Sequence, residues 1–246
     1  MTAIATPGGH RVAYGRDALG NLVSVVRGGL AEHLGYDAGG NVISYRNRRG
    51  QTIQFTRNTL GQVTRKTYPN GRTVDYQYET RGYLTQVTDS AQGITTMAFN
   101  VRGHLTSITY PDGKGFTFEY TAAGRRTRRV GTDGYTLNYG YDAAGRLTSL
   151  RDGANILIVQ YTYDAAGRLA REDKGNGTFT TYIYDLAGQI VSLVNRAPGG
   201  SVVQSFFNYT YDARGNRLTM TTAAGVTSYE YDAINQLTGV TYPGGR

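Results

Sequence analysis

The chain has 246 residues, among them 34 glycines, 21 tyrosines, no tryptophan and no cysteine. The missing cysteine excludes disulfide staples and thiolate metal sites, and glycine without a three-residue period excludes a collagen-like helix. Lysine and arginine (26) outnumber aspartate and glutamate (18), for a net charge of +8 that would suit nucleic acid or an acidic surface.

The opening residues, MTAIATPGGHR, contain no apolar stretch long enough for a signal peptide, and the longest aliphatic run, residues 156–159, is too short to span a bilayer. Export is therefore expected only as part of a larger protein or secretion system, at or beyond the cell surface. Further on, glycines mark a register: Gly20, Gly40, Gly61, Gly82, Gly103, Gly124, Gly145, Gly167, Gly188 and Gly215, with Asn235 in the last slot. Successive marks lie 20 to 22 residues apart except for one gap of 27, so about eleven copies of one small unit fill the chain. A constant period predicts one continuous array over residues 1–246, with no separate catalytic domain.

Each copy reads as a β-hairpin. In YTYDAAGRL (residues 161–169) the alternation of Tyr161, Thr162 and Tyr163 has period two, which places both tyrosines on one strand face. Asp164 can then cap a turn, Gly167 can take the left-handed conformation that closes a type I turn with a bulge, and Arg168-Leu169 restarts the sheet. The same slots are filled by Tyr36, Asp37, Tyr141, Asp142, Tyr184, Asp185, Tyr211, Asp212, Tyr231 and Asp232. Asn235 is the side chain that best tolerates the glycine's conformation. Leu147 and Leu150 stand three apart, which breaks strict alternation and predicts a twist or bulge after the turn.

A second, variable turn joins one hairpin to the next, as at Pro69-Asn70-Gly71, Pro111-Asp112-Gly113 and Gly175-Asn176-Gly177. The 27-residue gap contains Asn195-Arg196-Ala197-Pro198-Gly199-Gly200-Ser201, which reads as an enlarged second turn. Early copies are degenerate: Arg16-Asp17-Ala18-Leu19-Gly20 lacks the tyrosine, and Arg57-Asn58-Thr59-Leu60-Gly61 lacks both tyrosine and aspartate. The expected product is all-β, an antiparallel meander of about twenty short strands.

The recurring YDxxGRL, nearly perfect in YDAAGRLTSL (141–150) and YDAAGRLAR (163–171), resembles the YD repeat of the RHS family. That family includes bacterial RHS proteins, the C component of insecticidal toxin complexes and animal teneurins. The resemblance covers essentially the whole chain and implies a long sheet that curves or spirals into a hollow shell. In bacterial members that shell holds a C-terminal toxin, cut free by an RHS core segment with aspartates. Residues 1–246 contain no DPxGL-type core and no variable C-terminal domain, so neither the protease nor the toxin is carried over.

Residues that could carry chemistry have plainer readings. The aspartates recur once per repeat, roughly 10 Å apart, too far to share a calcium ion, so they are expected to cap turns. His10, His33 and His104 lie at no metal-binding spacing, and no glycine loop leads into a helix that could hold phosphate. No catalytic group, metal or cofactor is expected. In a regular strand Arg126 and Arg128 would face one side and Arg125 and Arg129 the other, which splits the densest basic cluster; nucleic acid is not the expected partner. Tyrosines at one register favour packing on their counterparts over stacking on sugars. The expected function is a non-catalytic segment of a shell that encloses or presents a toxin or other polypeptide; the competing reading is a carbohydrate-binding repeat module at the cell surface. Because bare strand edges are rare in natural proteins, the expected partners are the remainder of a shell, another copy, or an enclosed polypeptide.

Overall fold

In the computed structural model, residues 2–5 and 11–245 are described. They form 23 strands, four to nine residues long, and no helix. His10 lies outside the described residues. Close contacts divide the chain into two units. One runs to Phe118 and takes in Gly131–Asp133; the other comprises Glu119–Val130 and the residues from Gly134 onward.

In the first unit each strand pairs antiparallel with the next, from Thr2–Ala5 with Arg11–Arg16 to Leu105–Thr109 with Gly115–Tyr120. In the second the same order runs from Arg126–Gly131 with Thr136–Tyr141 to Gly225–Tyr231 with Leu237–Thr241. Among the described residues of each unit the strands touch only their neighbours in sequence, and no second layer of them covers either face. Burial is correspondingly thin: among the described hydrophobic side chains only Val25, Val74 and Val159 are buried, and none is fully enclosed.

The first turn of each repeat has one geometry. At Asp142 the backbone N–H donates to the Arg146 carbonyl (3.0 Å), and the Gly145 N–H returns to the Asp142 carbonyl (2.9 Å). This is a type I turn followed by a bulge, and it requires a positive φ at its last residue. The landmark glycines have φ between +77° and +88°, and Asn235 takes +65° in the last copy. The second turn, variable in sequence, repeats the same pair of bonds at Asn47 and Gly50, Tyr68 and Gly71, Tyr110 and Gly113, and Lys174 and Gly177. At Asp152 the left-handed position is filled by Asn155, φ +65°.

A second irregularity follows the first turn. Tyr141 pairs with Leu147 while Gly140 pairs with Ser149, which leaves Thr148 as the extra residue of a bulge. The same shift occurs after Gly20, Gly40, Gly61, Gly103, Gly167 and Gly215 among others. It explains the leucine spacing. Leu147 lies opposite Tyr141 and Leu150 opposite Tyr139, so both leucines share the tyrosine face. The other face carries Asn138, Arg151, Gly140 and Ser149.

The long gap is distributed differently from the enlarged turn expected. Relative to the preceding repeat, one extra residue lengthens Ile190–Arg196, two lie in the connection and three lengthen Val203–Tyr211. Strand pairing continues through the insertion because every added strand residue finds a ladder partner or a bulge position.

Gly145→Val places a β-branched side chain at φ +82°, where the Arg125 guanidinium also lies against the glycine. The expected loss is about 1–3 kcal/mol by urea unfolding, whereas Gly145→Asn, matching Asn155 and Asn235, should cost clearly less. Equal losses would refute the turn geometry.

Candidate functional site

The repeated Tyr-Asp-Gly-Arg motif forms a polar network that recurs from repeat to repeat. Its aspartate ties the turn together from inside. Asp142 Oδ1 accepts the Arg146 backbone N–H (2.9 Å) while Oδ2 accepts the Arg146 Nε (2.7 Å), and Asp164 holds Arg168 at the same two distances. Asp37, Asp212 and Asp232 each cap two backbone N–H groups, and Asp185 accepts from Gln189. In the degenerate copies Asn58 and Asn100 cap the same positions, and the Thr121 hydroxyl takes one of them. Hydrogen bonds from these N–H groups and side chains hold the carboxyls of Asp37, Asp142, Asp164 and Asp212 below the usual range.

The tyrosine reaches backward. Tyr163 donates its hydroxyl to the Leu147 carbonyl (2.7 Å), the first residue of the preceding repeat's bulge. Tyr36 reaches Leu22, Tyr78 reaches Val63, Tyr141 reaches Arg126, Tyr184 reaches Leu169 and Tyr211 reaches Ile190, all at 2.8–2.9 Å. Where the tyrosine is missing, Arg57 sends Nε and Nη2 to the equivalent Val42 carbonyl at 3.1 and 3.0 Å. The arginine reaches forward. Arg146 lies 4.5 Å from the centre of the Tyr163 ring and Arg168 lies 4.6 Å from that of Tyr184. Arg168 also donates to the Asp185 carbonyl (3.0 Å) in the following turn. One motif thus bonds its own turn, the repeat before it and the repeat after it.

Sequence reasoning placed the tyrosines on one face and read them as packing groups. It missed their hydroxyl bond, which links residues 14 to 21 positions apart. Arg125 lies against Gly145, and Arg128 forms an ion pair with Glu119 (3.1 Å). Arg129 stands opposite Leu137, on the tyrosine face, and Arg128 opposite Asn138, on the other. His33 pairs across the ladder with Ser24 and Arg46, and the His104 N–H donates to Asn100 Oδ1. Among the described residues no three histidine, aspartate or glutamate side chains converge as a metal site would require.

The model of the teneurin YD-shell matches residues 3–139, more than half of the chain. The chain belongs to this YD-shell family. The RHS repeat model matches residues 163–202 and 211–246. Among solved structures, the chain is similar to a TcdB2-TccC3-TEV crystal structure, at 17% identity over 93% of this chain with a TM-score of 0.78. A Photorhabdus luminescens Tc holotoxin pore is similar over 97% of this chain, at 18% identity and a TM-score of 0.62. The chain spans only 14% and 16% of the length of those two chains. No curated protein matches it by sequence. The antiparallel all-β repeat fold is thereby shared with the toxin-complex shell.

Two expectations follow from the motif. Tyr163→Phe should lower unfolding free energy by about 1 kcal/mol, because the Leu147 carbonyl loses its donor while the ring is kept. A denaturation curve overlaying that of the wild type would exclude the bond. Acid should also weaken the fold. The Arg72 guanidinium and the Ala91 N–H hold Asp89 at about 2 against its ordinary 3.8. The folded state therefore binds fewer protons between those values, so stability present at neutral pH falls as the pH drops from about 4 to about 2. Arg72→Gln should flatten that part of a thermal-stability profile.

Proposed function

We propose that the chain is a non-catalytic wall segment of an RHS-type shell, one continuous repeat array that helps to enclose or present another polypeptide. The observation that carries this reading is the single layer. Each unit exposes both faces of its sheet, one of them rich in tyrosine and leucine, and a one-layer sheet has no core of its own to bury that face. The family membership and the likeness to toxin-complex chains about six to seven times its length support a role within a larger wall. Extracellular or surface exposure is part of the same proposal.

A carbohydrate-binding module needs aromatic rings and hydroxyls turned to solvent. The motif hydroxyls are instead committed to backbone carbonyls, and arginine covers the Tyr163 and Tyr184 rings. Light scattering across a concentration series tests the wall reading: self-association, or co-purification with adjoining shell segments, is expected. A folded, soluble monomer at every concentration would overturn it. In a glycan array, saturable binding abolished by Tyr161→Ala with Tyr163→Ala would establish the carbohydrate reading instead.

A further inference from the structure

We propose that a concavity among the second turns of the first unit binds a proline-rich segment that carries a basic residue. The concavity holds about 860 Å³, and every residue lining it belongs to that unit. Tyr110, Pro111 and Phe116 supply apolar walls, while Asp112, Lys114 and Asp133 are exposed around it. The site goes beyond the wall reading, because it concerns these turns and not the assembly of the sheet. Comparison with the turn 42 residues earlier shows what sets it apart. There Ser90 donates its N–H to the Thr73 carbonyl (2.9 Å), and its hydroxyl oxygen accepts the Thr73 N–H (3.0 Å). Thr132 makes the same two bonds with Gly115, at 3.1 and 3.3 Å. The backbone frame is retained, but Gly115 stands in place of Thr73 and Gly131 in place of Asp89, which binds Arg72 in the earlier turn. Both glycines are buried; a Cβ at Gly115 would run into the Ile108 carbonyl and one at Gly131 into the Asp133 carboxylate. Two side chains present in the earlier turn are absent where the concavity lies.

The chain itself displays why proline suits this space. Its second turns already seat proline rings on bare glycines: a Cβ at Gly93 would stand 2.9 Å from the Pro111 ring, one at Gly177 3.2 Å from Pro198, and one at Gly225 3.0 Å from Pro243. Gly113, the glycine of the Pro111 turn, has nothing within 4 Å of that point, and the next turn brings Thr132 onto Gly115 instead. A proline ring has no N–H to leave unsatisfied against apolar walls. A proline-rich chain is also extended before it binds, so docking on an aromatic-lined groove orders little that was free. The polar groups select the charge. Among the lining residues two carboxylates, Asp112 and Asp133, stand against one lysine, and the pair between Asp112 and Lys114 (3.3 Å) is solvent-exposed. Such a pair contributes little, which leaves Asp112 able to take a second cation. On a chain of net charge +8, this acidic spot complements an arginine or lysine of the occupant.

The test uses the whole chain and three fluorescent peptides of equal length, read by anisotropy: oligoproline flanked by arginines, oligoproline flanked by glutamates, and a glycine-serine peptide flanked by arginines. Wild type is expected to bind the first at least about tenfold more tightly than either of the others. Tyr110→Ala removes one wall at an exposed position, so circular dichroism should show the fold retained while affinity for the first peptide drops about tenfold. Asp112→Asn installs the residue of the earlier turn, where Asn70 caps the Arg72 N–H as Asp112 caps that of Lys114. It keeps the turn and should lower the affinity about threefold. Tyr68→Ala, the same change in the earlier turn, should leave it unaltered. Absence of binding by wild type, equal binding of either control peptide, unchanged affinity in Tyr110→Ala or Asp112→Asn, or an equal loss in Tyr68→Ala would each overturn the site. None of these outcomes bears on whether the chain assembles into a wall, which light scattering reads separately.

Discussion

The bond between a tyrosine hydroxyl and the carbonyl at the preceding repeat's bulge is the constraint from which the rest follows. A bulge disturbs the ladder and leaves a backbone acceptor outside its regular pattern, which would be costly without a donor. Each repeat creates that demand and the next one meets it. Leu147 stands opposite Tyr141 and accepts from Tyr163; Leu169 stands opposite Tyr163 and accepts from Tyr184; Ile190 stands opposite Tyr184 and accepts from Tyr211. A hairpin taken from this series would lose one donor and one acceptor, which is why the motif has meaning only in repetition.

Charge plays a local part. Arginine after the glycine is bound to the aspartate that caps the turn and lies over the next tyrosine, so its charge is used within the rim. The net charge of +8 consequently says less about partners than it suggests. The molecule also shows how the network survives sequence drift. At Arg57 a guanidinium replaces the phenol and reaches the same Val42 carbonyl, while Asn58 replaces the capping aspartate. What is retained is a donor of sufficient reach and an oxygen at the cap, and residue identity is secondary.

With both faces of each unit uncovered and only three hydrophobic side chains buried among the described residues, backbone pairing and these side-chain links hold the strands together more than any core does.

The sequence by itself determined the period, the hairpins and the first turn, because those depend on contacts within a few residues. Glycine or asparagine at a left-handed position and an oxygen-bearing side chain three residues earlier are local requirements, legible in any single copy. The second turn was legible as a turn, but its identity in geometry with the first was hidden, since Tyr68, Tyr110 and Lys174 do not resemble a capping aspartate. Only the tertiary structure decided which side chains share a face. Alternation assigns faces by counting in twos, and one extra residue after the turn inverts the count, bringing Leu147 and Leu150 onto one side. It also decided the work of the tyrosines, because a bond from one repeat's hydroxyl to another repeat's carbonyl leaves no mark on local periodicity.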